Sequence, residues 1–324
     1  YTMLSYGSGY DLPYNGHFAA YSDDGLRWSA GPETPVIPGF EIGWFMYDEV
    51  DEKFRGLMSY ARWEAQLYAT QSTDGLEWSL PRPVVNRDEA DTEWAGGDRS
   101  NNTFFPAMPI TRYGPMLLGF LQVLRGRVIG GGLDGEMDVQ LVSSRDGKTW
   151  HRVGDRRPIL ERGDESDDAI ASGWDSGYVW MGNSLVEDGD RVVAYYTGCR
   201  KTPGALLQSQ WPKSIGMASW PRDRLVGLVT REDGIVETTA TLATGRLHVN
   251  ADASSGSLRG ALLEANGTPL EGFSVAECQP LVSGDALDHL LEWRNGDLSS
   301  LAGRTVRIHL ELRNTELFSL RWEP

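Results

Sequence analysis

Apolar and polar residues alternate with a period of two along most of the chain. The clearest runs are "HFAAYS", "AQLYATQS" and "DVQLVSS", with partners just upstream in "YTMLSY", "RGLMSY" and "PMLLGFLQV". Alternation places successive side chains on opposite faces, so each run predicts a strand covered on one side. Apolar residues at helical spacing are nearly absent, which predicts few helices. The same punctuation follows three of the runs: S-x-D-G-x-x-W, in "YSDDGLRW", "QSTDGLEW" and "SSRDGKTW", ending at Trp28, Trp78 and Trp150. Glycine tolerates positive φ, and the aspartate hydrogen-bonds the backbone ahead of it. Each copy therefore predicts the outer hairpin of a small antiparallel sheet, with its Trp opening the next strand. Asp24, Asp74 and Asp146 are read as structural. A fourth copy, "RVVAYYTG" then "SIGMASWPRDRL", lacks the Asp-Gly.

Self-similarity at a period of about 50–70 residues, all in strands, predicts radial repetition. The fold class expected is all-β: a five-bladed β-propeller over 1–230, then a β-sandwich over 231–324. A representative blade is "GWFMYDEV", "KFRGLMSYA", "AQLYATQS" and "LEWSLP". Four blades are legible to about Leu228, the first without its innermost strand. The opening "YTMLSYGSGY" reads as the middle of a strand, with a segment expected upstream. From "GIVETTATLATGRLHVNADASSGSLRGALLE" onward the texture changes to strong alternation with Asn-Gly turns.

Composition narrows the partners. The net charge of −16 repels phosphate backbones and argues against nucleic acid. No apolar run approaches the roughly 18 residues of a membrane span. Cys199 and Cys278 have no metal or redox spacing and are expected as free thiols, with one disulfide between them left open. Two N-glycosylation sequons, at Asn101 and Asn266, are too short a motif to weigh.

The S-x-D-G-x-x-W turns, the stretch "WDSGYVWMG" and the order of the two domains resemble the glycoside hydrolase family 32 and 43 superfamily. The nearest likeness is to bacterial proteins with a family-32-like N-terminal domain, and "PLEGFSVAECQPLVSGD" and "TVRIHLELRNTELFSL" resemble their C-terminal domain. The resemblance implies a propeller whose axial funnel holds catalytic carboxylates. It also implies an Asp on the first inner strand, within a W-M-N-D-P-N-G motif that this chain does not contain; an R-D-P triplet is absent too. Glu277–Cys278 matches the family's acid motif only superficially, because it falls in the second domain.

One face of a propeller collects the loops leading into each inner strand and those joining the second and third strands. The first set presents Glu41, Asp98 with Arg99, and Asp175; the second presents Asp11, His17, Arg62, Glu64, Arg127, Glu136, Asp138, Arg200 and Lys213. Trp63, Trp94, Trp174 and Trp211 fall near the same rim. Glycoside hydrolysis needs two carboxyl groups flanking the scissile bond, one protonated and one ionised. The catalytic candidates are Asp175, Asp98, Asp138 and Glu136. Arg99, Trp174, Trp94, Glu64, Arg62, His17, Arg127 and Lys213 are the substrate-binding candidates. The "GGGLDG" before Glu136 reads either as a lid or as a long hairpin, and Asp48 is assigned to the opposite rim.

The expected function is a glycosidase with a carbohydrate substrate, exo-acting on a short glycan. A furanoside follows from the resemblance alone. No cofactor is required, and an axial channel of this kind has room for Ca²⁺. Two rivals remain: a propeller that binds glycans without catalysis, and a polysaccharide lyase using a patch such as Arg99, Arg127, Arg200, Lys201 and Lys213 against a uronate.

Overall fold

The computed structural model describes residues 1–8, 14–60, 65–96, 102–129, 132–163, 173–206 and 212–324. The candidates Asp98, Arg99, Arg62 and Glu64, with Asp11, Trp63 and Trp211, lie outside the described residues. The chain is mainly β and divides into two compact units, residues 1–186 with 193–218 and residues 187–192 with 219–324.

In the first unit the strands follow one another as antiparallel meanders. The first sheet holds Thr2–Gly7, Gly16–Tyr21 and Ser29–Ala30, with Ile37–Pro38 against Gly16–Tyr21. The second runs Ile42–Asp48, Lys53–Ser59, Gln66–Ser72 and Arg82–Asn86. In the third, Asn102–Phe104 and Ile110–Tyr113 both pair with Met116–Ile129, which pairs in turn with Gly132–Ser144. A parallel bridge between Met137 and Tyr178 connects this group to Tyr178–Met181, Arg191–Cys199 and Ser214–Pro221.

All three Asp-Gly turns are drawn with the same hydrogen bonds. In the third copy Ser144 Oγ donates to Asp146 Oδ1 at 3.1 Å, and Asp146 Oδ1 accepts the backbone N–H groups of Lys148 and Thr149 at 2.8 Å each. Asp24 and Asp74 make the equivalent bonds. The backbone N–H groups and the serine hydroxyl hold all three carboxyls below their ordinary range. The tryptophans meet expectation in two copies: Trp28 and Trp150 lead directly into Ser29–Ala30 and His151–Arg152, whereas no strand follows Trp78 until Arg82–Asn86. Each indole N–H also returns to its own turn, Trp28 to Gly25 O, Trp78 to Gly75 O and Trp150 to Gly147 O at 3.0–3.2 Å. The fourth strand of the second sheet is accordingly Arg82–Asn86 and not "LEWSLP".

The turn glycines have φ of +75°, +76° and +71°, a region that costs any L-residue about 1–2 kcal/mol. Their surroundings differ. The atoms nearest a Cβ on Gly25 would be those of the Tyr1 ring, at 3.5 Å, whereas one on Gly147 would lie 2.2 Å from Nη1 of buried Arg55. Gly147→Ala is therefore expected to destabilise by roughly 1–3 kcal/mol more than Gly25→Ala in denaturant melts. Equal losses would contradict the clash.

The long hairpin of Met116–Ile129 and Gly132–Ser144 carries the polar site. Pairing continues to Ile129↔Gly132, so residues 132–135 of "GGGLDG" extend a hairpin rather than form a lid. Odd positions Leu133, Met137, Val139 and Leu141 are buried. Leu133 and Met137 pack with Phe104, Leu124, Tyr178 and Cys199, each fully buried side chain contributing about 1.5–3 kcal/mol. Even positions Glu136, Asp138 and Gln140 consequently share the opposite face.

In the second unit one sheet orders Leu228–Val229, Glu316–Glu323, Arg246–Asp252 and Asp285–Leu290. The other orders Asp233–Glu237, Thr305–Arg313, Ser257–Glu264 and Leu281–Val282. Leu247, Val249 and Leu317 from one sheet and Leu262, Ile308 and Leu310 from the other share a single core. Both cysteines are buried free thiols, one in each unit. Among the described residues no helix is long and apolar enough to cross a membrane.

Candidate active site

Cross-strand register assembles the centre of the site. Arg125 stands opposite Glu136, and Val123 opposite Asp138, so Arg125 faces Glu136 directly and Asp138 diagonally. Its Nη2 lies 3.4 Å from Glu136 Oε2 and 3.3 Å from Asp138 Oδ2. The guanidinium also lies over the Trp94 ring, 3.9 Å from its centroid, in cation–π contact. Trp94 ends a short helix, Glu89–Trp94, that the pattern of the sequence does not announce. Asp88 and Asp91 cap it reciprocally, and Arg152 holds the buried Asp91 at 3.0 and 3.1 Å.

Arg162 joins this cluster to a second segment. Its Nη2 donates to Glu136 Oε2 at 2.7 Å, its backbone N–H to Asp138 Oδ1 at 3.2 Å, and its Nη1 to the carbonyl of Ser176 at 2.7 Å. Ser176 follows Asp175, which is 8 % exposed and accepts from the Tyr196 hydroxyl at 2.7 Å. Trp94, Arg125, Glu136, Asp138, Glu161, Arg162 and Gly163, with Pro158, line a pocket of about 410 Å³. The other carboxylate oxygen of Asp175 abuts this wall: a Cβ on Gly163 would lie 2.4 Å from Oδ1. Trp174, beside Asp175, is 41 % exposed.

The structure thus brings Glu136, Asp138, Trp94 and the Trp174–Asp175 pair together. It does not bring the other described candidates to them. Arg127 is exposed further along the hairpin, opposite Asp134 in register. Lys213 is exposed before Ser214–Pro221 and lines no part of the pocket. His17 is 3 % exposed and packs between Tyr6 and Phe45, with ring centroids at 5.6 and 5.1 Å. Sequence reasoning missed Arg125, Arg162 and Tyr196. A hairpin centred on residues 130 and 131 pairs positions that sum to 261, which would have set Arg125 opposite Glu136. Arg162 and Tyr196 are joined to the site by contacts between separate strands and leave no local signal.

Burial pushes the His17 imidazole down to about 4, against a smaller opposing effect of its hydrogen bond to the Phe40 backbone. The folded state therefore favours the neutral ring. Its contribution is complete above pH 6.5 and is lost as pH falls from 6.5 toward 4, with a total of roughly 3 kcal/mol. His17→Phe is expected to flatten most of that acid limb in denaturant melts at pH 7 and pH 4.5. An unchanged slope would contradict the assignment.

Among the described residues no group of three or more His, Cys, Asp or Glu is placed to hold a metal ion.

No protein-family model matches the chain, and no curated protein matches it in sequence. Solved structures similar to it include family-43 and family-32 glycoside hydrolases. A thermostable family-43 glycoside hydrolase shares 14% identity over 67% of this chain and 67% of its own, with a TM-score of 0.46. An N-acetylgalactosamine deacetylase from F. plautii, in complex with blood group B trisaccharide, shares 14% identity over 69% of this chain and 70% of its own, with a TM-score of 0.42. A Bombyx mori family-32 β-fructofuranosidase in complex with sucrose shares 10% identity over 99% of this chain and 76% of its own, with a TM-score of 0.40.

Proposed function

We propose that the chain is a glycoside hydrolase, built as a five-bladed β-propeller with a C-terminal β-sandwich, that cleaves a short, uncharged glycan or glycoside. One observation carries the reading. Arg162 binds Glu136, Asp138 and the carbonyl of Ser176, next to Asp175, at once, so it ties the pocket-lining carboxylates of the hairpin to the segment that carries the Asp175 carboxylate. Hydrolysis of a glycosidic bond needs such a pair. Asp175 supplies one member, and Glu136 or Asp138 the other. The exposed Trp174 offers an aromatic surface of the kind that takes the apolar face of a sugar ring.

Charge supports a neutral substrate. Arg125 and Arg162 are outnumbered by Glu136, Asp138 and Glu161 on the same wall. A uronate would add a further negative charge, which argues against the lyase reading. Arg127, Arg200, Lys201 and Lys213 do not line this pocket.

The test is product release from a panel of neutral oligosaccharides and aryl glycosides, furanosides included, beside uronate polymers. Free sugar from a neutral substrate is the expected result. Binding by calorimetry without release would replace the proposal with a glycan-binding propeller, and an unsaturated uronate product would replace it with a lyase.

A further inference from the structure

Tyr196 does not line the pocket, yet it reaches the candidate carboxylate directly. Its hydroxyl donates to Asp175 Oδ2 at 2.7 Å, and its ring stacks on Trp174 at 5.6 Å and 18°. The three side chains occupy space that four glycines leave open. A Cβ on Gly216 would lie 2.5 Å from Tyr196 Cζ, and one on Gly198 would lie 2.5 Å from both Asp175 Cβ and the Trp174 ring. A Cβ on Gly163 or Gly173 would lie 2.4 or 3.0 Å from Asp175 Oδ1. The carboxylate is therefore fixed from two sides. Tyr196 occupies Oδ2, and Oδ1 points at the Gly163 wall, where it accepts no hydrogen bond among the described residues.

We propose that Tyr196 is a positioning residue that pins Oδ2 of Asp175 and so fixes the orientation of its carboxylate, with Trp174 holding the phenol ring in plane. The proposal rests on the glycoside hydrolase reading of this site. Burial first, and the Asp175 carboxylate second, raise the phenol far above the ordinary tyrosine range, so it remains a donor at any working pH.

Tyr196→Phe keeps the ring and its stack and deletes only the donor. It is expected to lower kcat about 10- to 100-fold while KM stays within about twofold, with the melting temperature nearly unchanged. A second readout is independent of turnover. In protein labelled with ¹³Cζ-tyrosine, the Tyr196 resonance, assigned by its loss in Tyr196→Phe, is expected to titrate at lower pH in Asp175→Asn than in wild type. Full kcat in Tyr196→Phe, where Asp175→Asn abolishes turnover, would overturn the positioning role and leave the hydrolase reading standing. An unmoved Tyr196 titration in Asp175→Asn would overturn the hydrogen bond itself. Wild-type protein without turnover on any glycan would overturn both readings.

Discussion

Asp48→Asn is expected to destabilise the first unit by about 3–5 kcal/mol, more than any other single substitution described here. Asp48 has no exposed surface, and its carboxylate accepts from Arg55 Nε at 2.7 Å and from Arg112 Nε and Nη2 at 3.0 and 2.5 Å. Burial is the largest influence on this carboxyl and opposes its charge. The combined guanidiniums of Arg112 and Arg55 outweigh it and hold Asp48 at about 2. Arg112 belongs to the third sheet and Asp48 to the second, while Arg55 Nη1 also binds the carbonyl of Asp146 at 3.2 Å. The substitution leaves two arginines facing a neutral amide in a buried position, with only half-exposed Asp51 as compensation. A fall in melting temperature of about 10 °C is expected. The pH dependence has a distinct window. Because the folded carboxyl is depressed, its contribution is present above pH 4 and is lost as pH falls from 4 toward 2, below the window of His17. A stable variant with an unaltered acid limb would show that the pair contributes no net stability.

Asp175→Asn is expected to lower kcat by ~10³-fold or more with little loss of glycan binding. The side chain is nearly isosteric and can still accept from Tyr196, so Trp174, Gly163 and the Arg162 bridge keep their places. What is lost is a group able to carry the negative charge or the proton that bond cleavage requires. Loss of binding together with turnover would instead mark Asp175 as a residue that only supports the fold.

The turns and hairpins were legible because they depend on near neighbours. Ser144, Asp146, Gly147 and Trp150 are all within one short span, and the alternation of "MDVQLV" declares which face each residue takes. Even the indole N–H of the turn tryptophans finds its partner three residues back, on the carbonyl of the turn glycine. The site was legible only in part. Asp138 and Asp175 stood out as carboxylates at strand beginnings, and Glu136 as one in the loop just before. Arg162 did not, since it meets Glu136 and Ser176 across 26 and 14 residues. Asp48 looked like part of an acidic surface turn, because nothing local shows that Arg112 lies 64 positions onward and closes over it. His17 failed as a ligand for the same reason: burial between Tyr6 and Phe45 is a property of packing.

The central claim is that carboxylates from two strand groups act together on one bond. The most direct measurement is a double-variant cycle, with kcat determined for wild type, Asp175→Asn, Glu136→Gln or Asp138→Asn, and each pair combined. Groups that act as a unit are strongly non-additive. The account predicts that one of the two hairpin variants matches the loss in Asp175→Asn, and that the corresponding double variant is lower by no more than a few-fold. Losses that simply multiply, or hairpin variants that both keep wild-type turnover, would contradict it.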